Sequence, residues 1–288
     1  MVREASRTPD APALVNLPDP GAAPPLFAPL KDLDKRGRIF IGALILLANL
    51  PVLHYLVRHV IGENPVTVTQ MPFIDDFNRA ELGPNYWYQG GDWRIVDGQL
   101  YVNGSHQNAA WLQAALPHDV VVEFDARPLS PEVDVRFEIF GDGQNHGTGY
   151  SFYFSALAPY MNSPVRGTSL IRQDEGGIVF DGSGRAVSSA DPKQAQVAGR
   201  TMDELWQNGT LGPSSGWRMD RGDIRGMPNE TYHMRIERKG GRLTWSVNGQ
   251  TIYDVNDKYP LGGKHHDRFG FSAYEATVAY DNLSITPL

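Results

Sequence analysis

The sequence contains no cysteine in its 288 residues, so disulfides and thiolate metal sites are excluded. It is also poor in positive charge. Twenty-six Lys and Arg stand against 33 Asp and Glu, and the deficit is uneven. Residues 1–61 hold seven basic and five acidic side chains, a net of +2, which leaves 19 basic and 28 acidic beyond them, a net of −9. An acidic main region excludes nucleic acid as a partner, because phosphate backbones need a basic surface. There is no Gly-x-Ser-x-Gly elbow and no phosphate loop. Beyond residue 62 no amphipathic helix of useful length occurs, apart from a short one near Met202–Gln207.

One long apolar run is present. Ile39 to Ile61 reads IFIGALILLANLPVLHYLVRHVI. As a helix it would be roughly 35 Å long, against a hydrocarbon core of about 30 Å. Lys31, Lys35, Arg36 and Arg38 precede it, and few basic residues follow Arg58. The positive-inside rule therefore predicts a single-pass helix over 38–61 in the inner (cytoplasmic) membrane. The N-terminus is expected to be cytoplasmic and the main domain periplasmic or extracellular. A cleaved signal peptide fits less well, because the run starts late and no small-x-small site follows it. The first half, Ile39–Ala48, carries no polar side chain, whereas the second half carries Asn49, Pro51, His54 and Arg58. Polar groups at that depth are costly unless satisfied, so Asn49 and His54 are expected to dock the helix on other transmembrane subunits. Imidazole also suits the metal of a haem or chlorophyll-type pigment, which makes His54 a candidate axial ligand.

Residues 1–37 form a Pro-rich tail. Seven of the 21 prolines fall within the first 30 positions, a composition that cannot build a core of its own. In contrast, residues 62–288 are patterned with period two. Asp119–Arg127, Glu132–Phe140 and Gly149–Ser155 read as strands. Tyr232–Arg238, Arg242–Val247 and Thr251–Val255 read as a meander turned by Gly240-Gly241 and Asn248-Gly249. Arg268–Tyr274 and Thr277–Ile285 close the chain. Residues 174–229 show no clear strand pattern and read as an irregular insertion, long enough to be functional or interfacial. The expected fold is an all-β antiparallel jelly-roll sandwich behind one N-terminal transmembrane helix.

The stretches FIDDFNRAELGPNYW (Phe73–Trp87), GDWRIVDGQLYV (Gly91–Val102), LTWSVNGQTIYDV (Leu243–Val255), FGFSAYEA (Phe269–Ala276) and YDNLSI (Tyr280–Ile285) resemble the first and last strands of concanavalin A-like lectin/glucanase (laminin G-like) jelly rolls. That superfamily includes lectins, glycosidases, lyases and adhesive modules, so the resemblance implies the fold and leaves the function open. Its laminarinase-type members carry E-x-D-x-x-E on one strand. Glu123 and Asp125 match the first two positions, and Pro128 occupies the third. A retaining hydrolase needs two carboxyls about 5 Å apart across the scissile bond, so the broken motif leaves Glu123 and Asp125 as weak catalytic candidates. Asp134, Arg136 and Glu138 share one strand face, either as a sugar-binding concavity or, the favoured reading, as a solvated face with cross-strand ion pairs.

Trp87, Trp93, Trp111, Trp206 and Trp217 offer rings for sugar stacking, and Trp206 and Trp217, inside the insertion, are the candidate ligand or interface aromatics. Asp75, Asp76 and Asp281 resemble positions near the paired termini of related jelly rolls where calcium is held, and oxygen ligands suit that ion. His106, His118 and His146 are scattered in loops, and Lys264–Asp267 reads as a polar loop. The expectation is a non-catalytic accessory subunit of a larger bacterial membrane complex, respiratory or photosynthetic. Its helix meets other transmembrane subunits within the lipid bilayer, its tail lies on a cytoplasmic partner surface, and its β-domain clamps partners outside. The alternative is a membrane-tethered glycan-binding module or a degenerate glycoside hydrolase.

Overall fold

The structure is a computed structural model. It describes residues 34–56, 66–156, 167–173, 177–187 and 192–288. The chain divides into two units on either side of residues 63 and 64, and each is treated by itself.

The first unit contains helix α1 (Lys35–Leu56), with Pro51 inside it. Its Lys35–Leu53 stretch is long and apolar enough to cross a membrane, a property shared with signal sequences near an N-terminus. Ile39, Phe40, Leu44, Ile45, Leu46, Leu47, Leu50, Val52 and Leu53 are all exposed. Asp34 caps the helix by accepting the Gly37 amide at 2.7 Å. The tail expected over 1–37 is described only from residue 34, and the span expected over 38–61 only to residue 56.

The second unit is a two-sheet β-sandwich. In chain order its elements are β1 (Phe73–Asp75), β2 (Tyr86–Tyr88), β3 (Asp92–Val96), β4 (Gln99–Asn103), β5 (Ala110–Leu112), β6 (Val120–Pro128), β7 (Val135–Gly141) and β8 (Tyr150–Ala156). They continue with β9 (Gly167–Arg172), β10 (Ile178–Phe180), α2 (Pro192–Val197), α3 (Met202–Gln207), β11 (Trp217–Arg221), β12 (Tyr232–Lys239), β13 (Arg242–Val247), β14 (Gln250–Asn256), β15 (Arg268–Ser272) and β16 (Thr277–Pro287). Sheet A runs β14-β13-β12-β6-β16-β4-β3, with β1 also paired to β16. Sheet B runs β10-β11-β9-β8-β7-β15-β5-β2. Each pair is antiparallel except β10 with β11, which is parallel and makes that edge of sheet B mixed.

Alternation in sheet A sorts its side chains cleanly. On β6 Val120, Val122, Phe124 and Ala126 point inward, while Glu123, Asp125 and Arg127 point out. Phe124 sits at the centre of the core. Its ring is 4.9 Å from Phe137 and 5.1 Å from Phe271, both edge-on. Trp245 meets Phe137 and Phe152 edge-on and stacks on Tyr253. Each fully buried aromatic of this kind contributes roughly 1.5–3 kcal/mol by leaving water.

The meander β12–β13–β14 is turned where the sequence predicts. Asn248 and Gly249 both have positive φ, 49° and 77°, as a two-residue type I′ turn demands. The region 174–229 departs from expectation. It contains β10 and β11 as well as two short helices, and β11 pairs with β9 along its whole length. β11 escapes a periodic reading because it is polar, WRMDR, and its partner β9, outside this region, is buried on both faces. Helix α3 carries a capping box between Thr201 and Glu204 and buries Met202, Leu205 and Trp206 in the main core. The described parts of this region therefore belong to the sandwich.

Candidate functional site

Three places bear on function: the outer face of sheet A, the outer face of sheet B, and the buried polar groups at the end of the sandwich.

On sheet A, β6 and β12 are paired so that Glu123 lies opposite Arg235 and Asp125 opposite His233. Both candidate carboxylates are engaged. Glu123 accepts from Arg235 at 3.0 Å, and Arg235 also reaches Glu237 at 2.7 Å. Asp125 contacts His233 Nδ1 at 2.9 Å and accepts from the Asn282 amide at 2.8 Å. Farther along the face Arg127 donates to Gln99, and Gln99 donates to Asp281. The pattern is a half-exposed ladder of cross-strand ion pairs. No tryptophan is exposed beside it among the described residues.

The same face dips between β12 and β13 into a shallow depression of about 270 Å³, lined by Arg235, Glu237, Lys239, Arg242, Thr244 and Ser246. Register explains the lining. Arg235 lies opposite Ser246, Glu237 opposite Thr244 and Lys239 opposite Arg242, all pointing away from the core. Arg242 is held by Asp254 at 2.6 Å, and this pairing keeps the Asp254 carboxyl below its ordinary range. Among the described residues no carboxylate pairs with Lys239. No motif in the sequence singles out these residues, although the Gly240-Gly241 turn, with the alternation on either side, places Lys239 against Arg242.

Sheet B corrects the expectation for Asp134, Arg136 and Glu138. They share the outer face, but they are buried, with side-chain exposures of 5, 1 and 0%. Arg136 pairs with Asp134 at 2.6 Å and lies over the Tyr153 ring at 4.4 Å and the Tyr274 ring at 5.2 Å. Glu138 gathers the β7–β8 turn: the amides of Gly147, Thr148 and Gly149 donate to it at 2.8, 3.0 and 2.6 Å, and His146 lies 3.3 Å away. Burial opposes its charge, but His146 and these amides outweigh burial and hold the carboxyl below its ordinary value. Trp111 lies flat on this face. An added Cβ at Gly141 or Gly270 would come within 2.5 or 2.7 Å of its ring, so glycine is required under it.

The two insertion tryptophans are core residues and not surface aromatics. Trp206 is 4% exposed and meets Tyr259 edge-on, and Trp217 is 1% exposed and packs on Tyr150. Near them Arg172 pairs with Asp257 at 2.8 Å, and Tyr150 donates to the same carboxylate at 2.6 Å. Arg172 also donates to the carbonyls of Pro213, Ser215 and Tyr259, which fastens the region before β11 to the loop after β14.

The three aspartates proposed for calcium do not converge. Asp75 is buried and takes both guanidinium arms of Arg79, the Tyr86 hydroxyl and the Phe77 amide. Asp76 caps Asn78, and Asp281 accepts from Gln99. Among the described residues no group of three His, Asp or Glu is placed to hold a metal ion. Asn49 donates to the Ile45 carbonyl of its own helix at 2.7 Å. The side chain of His54, the candidate pigment ligand, lies outside the described residues.

No family model matches this chain, and no curated protein matches it. Solved structures that align with this chain include the carbohydrate-binding module CBM66 from Bacillus subtilis, at 12% identity and a TM-score of 0.45, over 70% of this chain and 95% of that one. A Bacillus subtilis protein of unknown function with a galectin-like fold aligns at 13% identity and a TM-score of 0.44, over 75% and 94%. The alginate lyase Aly36B aligns at 13% and 0.39, over 76% and 98%. The assignment of a two-sheet sandwich rests on the strand pairings above.

Proposed function

We propose that this chain is a membrane-tethered, non-catalytic binding module. The observation that carries this reading is the state of Glu123 and Asp125. Each is already engaged by neighbouring side chains, Glu123 by Arg235 and Asp125 by His233 and Asn282, and Pro128 stands where a third carboxylate would be needed. A general acid must instead be kept protonated, by burial or by a like charge.

The first reading of its ligand is a glycan. It is supported by the depression on sheet A, where cations, a carboxylate and hydroxyls stand together on a rigid sheet. The second is a protein subunit of a membrane complex. It is supported by α1, whose apolar side chains are exposed around the helix and which carries Asn49 midway. One preparation tests both. The full chain, extracted in mild detergent, is applied to a glycan array, and its co-purifying chains are identified in parallel. Capture of oligosaccharide supports the first reading, and stoichiometric co-purification of another membrane protein supports the second. A lone monomer that captures no glycan sinks both. Retention in membranes after carbonate washing, and release on deletion of residues 35–56, is the expected behaviour of the tether.

A further inference from the structure

We infer that the depression between β12 and β13 is a subsite for one carboxylate-bearing sugar unit, such as a uronate within a polysaccharide. The inference deepens the glycan reading above and rests on it.

Size comes first. A volume of about 270 Å³ lies below the range of roughly 300–1,000 Å³ typical of sites for drug-sized ligands. It suits a single ring, with the rest of a chain running over the flat sheet.

Charge comes second. Like charges directly opposite on paired strands are destabilising, yet Lys239 faces Arg242 beside the Gly240-Gly241 turn. Asp254 takes two of the Arg242 donors, through Nε at 2.8 Å and Nη2 at 2.6 Å, which leaves Nη1 for a further acceptor. Lys239 has three ammonium donors and makes no side-chain hydrogen bond among the described residues. A ligand carboxylate placed between these two side chains relieves the repulsion and gains charge-assisted hydrogen bonds.

The remaining lining separates a sugar acid from a bare anion. Glu237 lies between the Arg235 end and the Lys239–Arg242 end of the depression. One of its oxygens is held by Arg235 at 2.7 Å, and the other can accept a hydrogen bond from a ligand hydroxyl, which a sulfate cannot supply. Thr244 and Ser246 contact their own neighbours only at 3.5 and 3.4 Å, which leaves their hydroxyls free to turn toward a ligand. A polyhydroxy acid uses the cations, the carboxylate and the hydroxyls together. No aromatic ring lines the depression, so binding there is electrostatic in character and falls with salt.

The test is titration of the full chain in detergent with trigalacturonate, with cellotriose and inorganic sulfate as comparisons. Trigalacturonate should bind, cellotriose and sulfate should bind far more weakly, and affinity should drop between low and high salt. Lys239→Ala combined with Arg242→Ala should weaken binding about tenfold or more, a change of 1.4 kcal/mol or above. Glu237→Ala should weaken it as well, because the acceptor for ligand hydroxyls is lost. Unchanged melting temperatures show that the variants fold. If Glu237→Ala tightens binding, or sulfate competes on equal terms, the depression is a simple anion site and the inference is overturned. If the array captures other glycans while trigalacturonate gives no signal, the subsite is overturned and the binding-module reading stands.

Discussion

Arg172 and Asp257 are separated by 85 positions and meet at 2.8 Å, each with a side chain only 1% exposed. The pair is not isolated. Tyr150 donates to the same carboxylate, and burial beside that negative charge pushes the Tyr150 hydroxyl well above its ordinary range. Removing one partner of a buried pair leaves an uncompensated charge and costs about 3–5 kcal/mol. Asp257→Ala should therefore lower unfolding free energy by that order in denaturant titration. A loss under 1 kcal/mol would show that Arg172 finds enough acceptors among the carbonyls around it.

Glu138 makes stability depend on pH. Its folded carboxyl lies below the ordinary value of 4.5, so its contribution is complete above that pH. The contribution is lost as pH falls through the lower folded value. Glu138→Gln should cost about 1–3 kcal/mol near neutrality and should remove this part of the acid-side slope. Thermal melts from pH 7 down to pH 3 test it, and identical slopes in both proteins would count against the assignment.

The ladder on sheet A should behave in the opposite way. Glu123→Gln breaks a half-exposed pair worth less than about 1 kcal/mol, so stability should barely change. Any hydrolytic activity found in the purified protein should survive the substitution. Its abolition would restore Glu123 as a catalytic carboxylate and refute the non-catalytic reading.

Gly270 tests the packing under Trp111. An added methyl would sit 2.7 Å from the indole, and overpacking of this sort costs about 1–3 kcal/mol. Gly270→Ala should lower the melting temperature and shift tryptophan fluorescence. Gly184→Ala, with nothing within 4 Å but a positive φ of 75°, separates steric from backbone effects.

Much of the fold is legible in the sequence because sheet A is wet on one side. The alternation of Val122, Phe124 and Ala126 with Glu123, Asp125 and Arg127 reads directly as a half-buried strand, and the Gly240-Gly241 and Asn248-Gly249 turns fix the register of β12, β13 and β14. Sheet B obscures the same signal. Arg136, Glu138, Ser151 and Tyr153 sit on a face that is polar in composition yet buried, so a reading by polarity takes it for solvated surface. The same limit hides β11. The tryptophans Trp206 and Trp217 look free in a segment without pattern, and only α3 and the pairing of β11 with β9 show that they are core.

The double-sided burial of β7 and β8 also sets where this molecule can be altered. Every side chain from Val135 to Gly141 and from Tyr150 to Ala156 is buried, so neither strand offers a neutral position for a label, a charge change or a crosslinker. The outer face of sheet A does. A probe at Thr244 or Ser246 would report on the depression while leaving the core untouched, and a handle on β7 or β8 would be read out as misfolding.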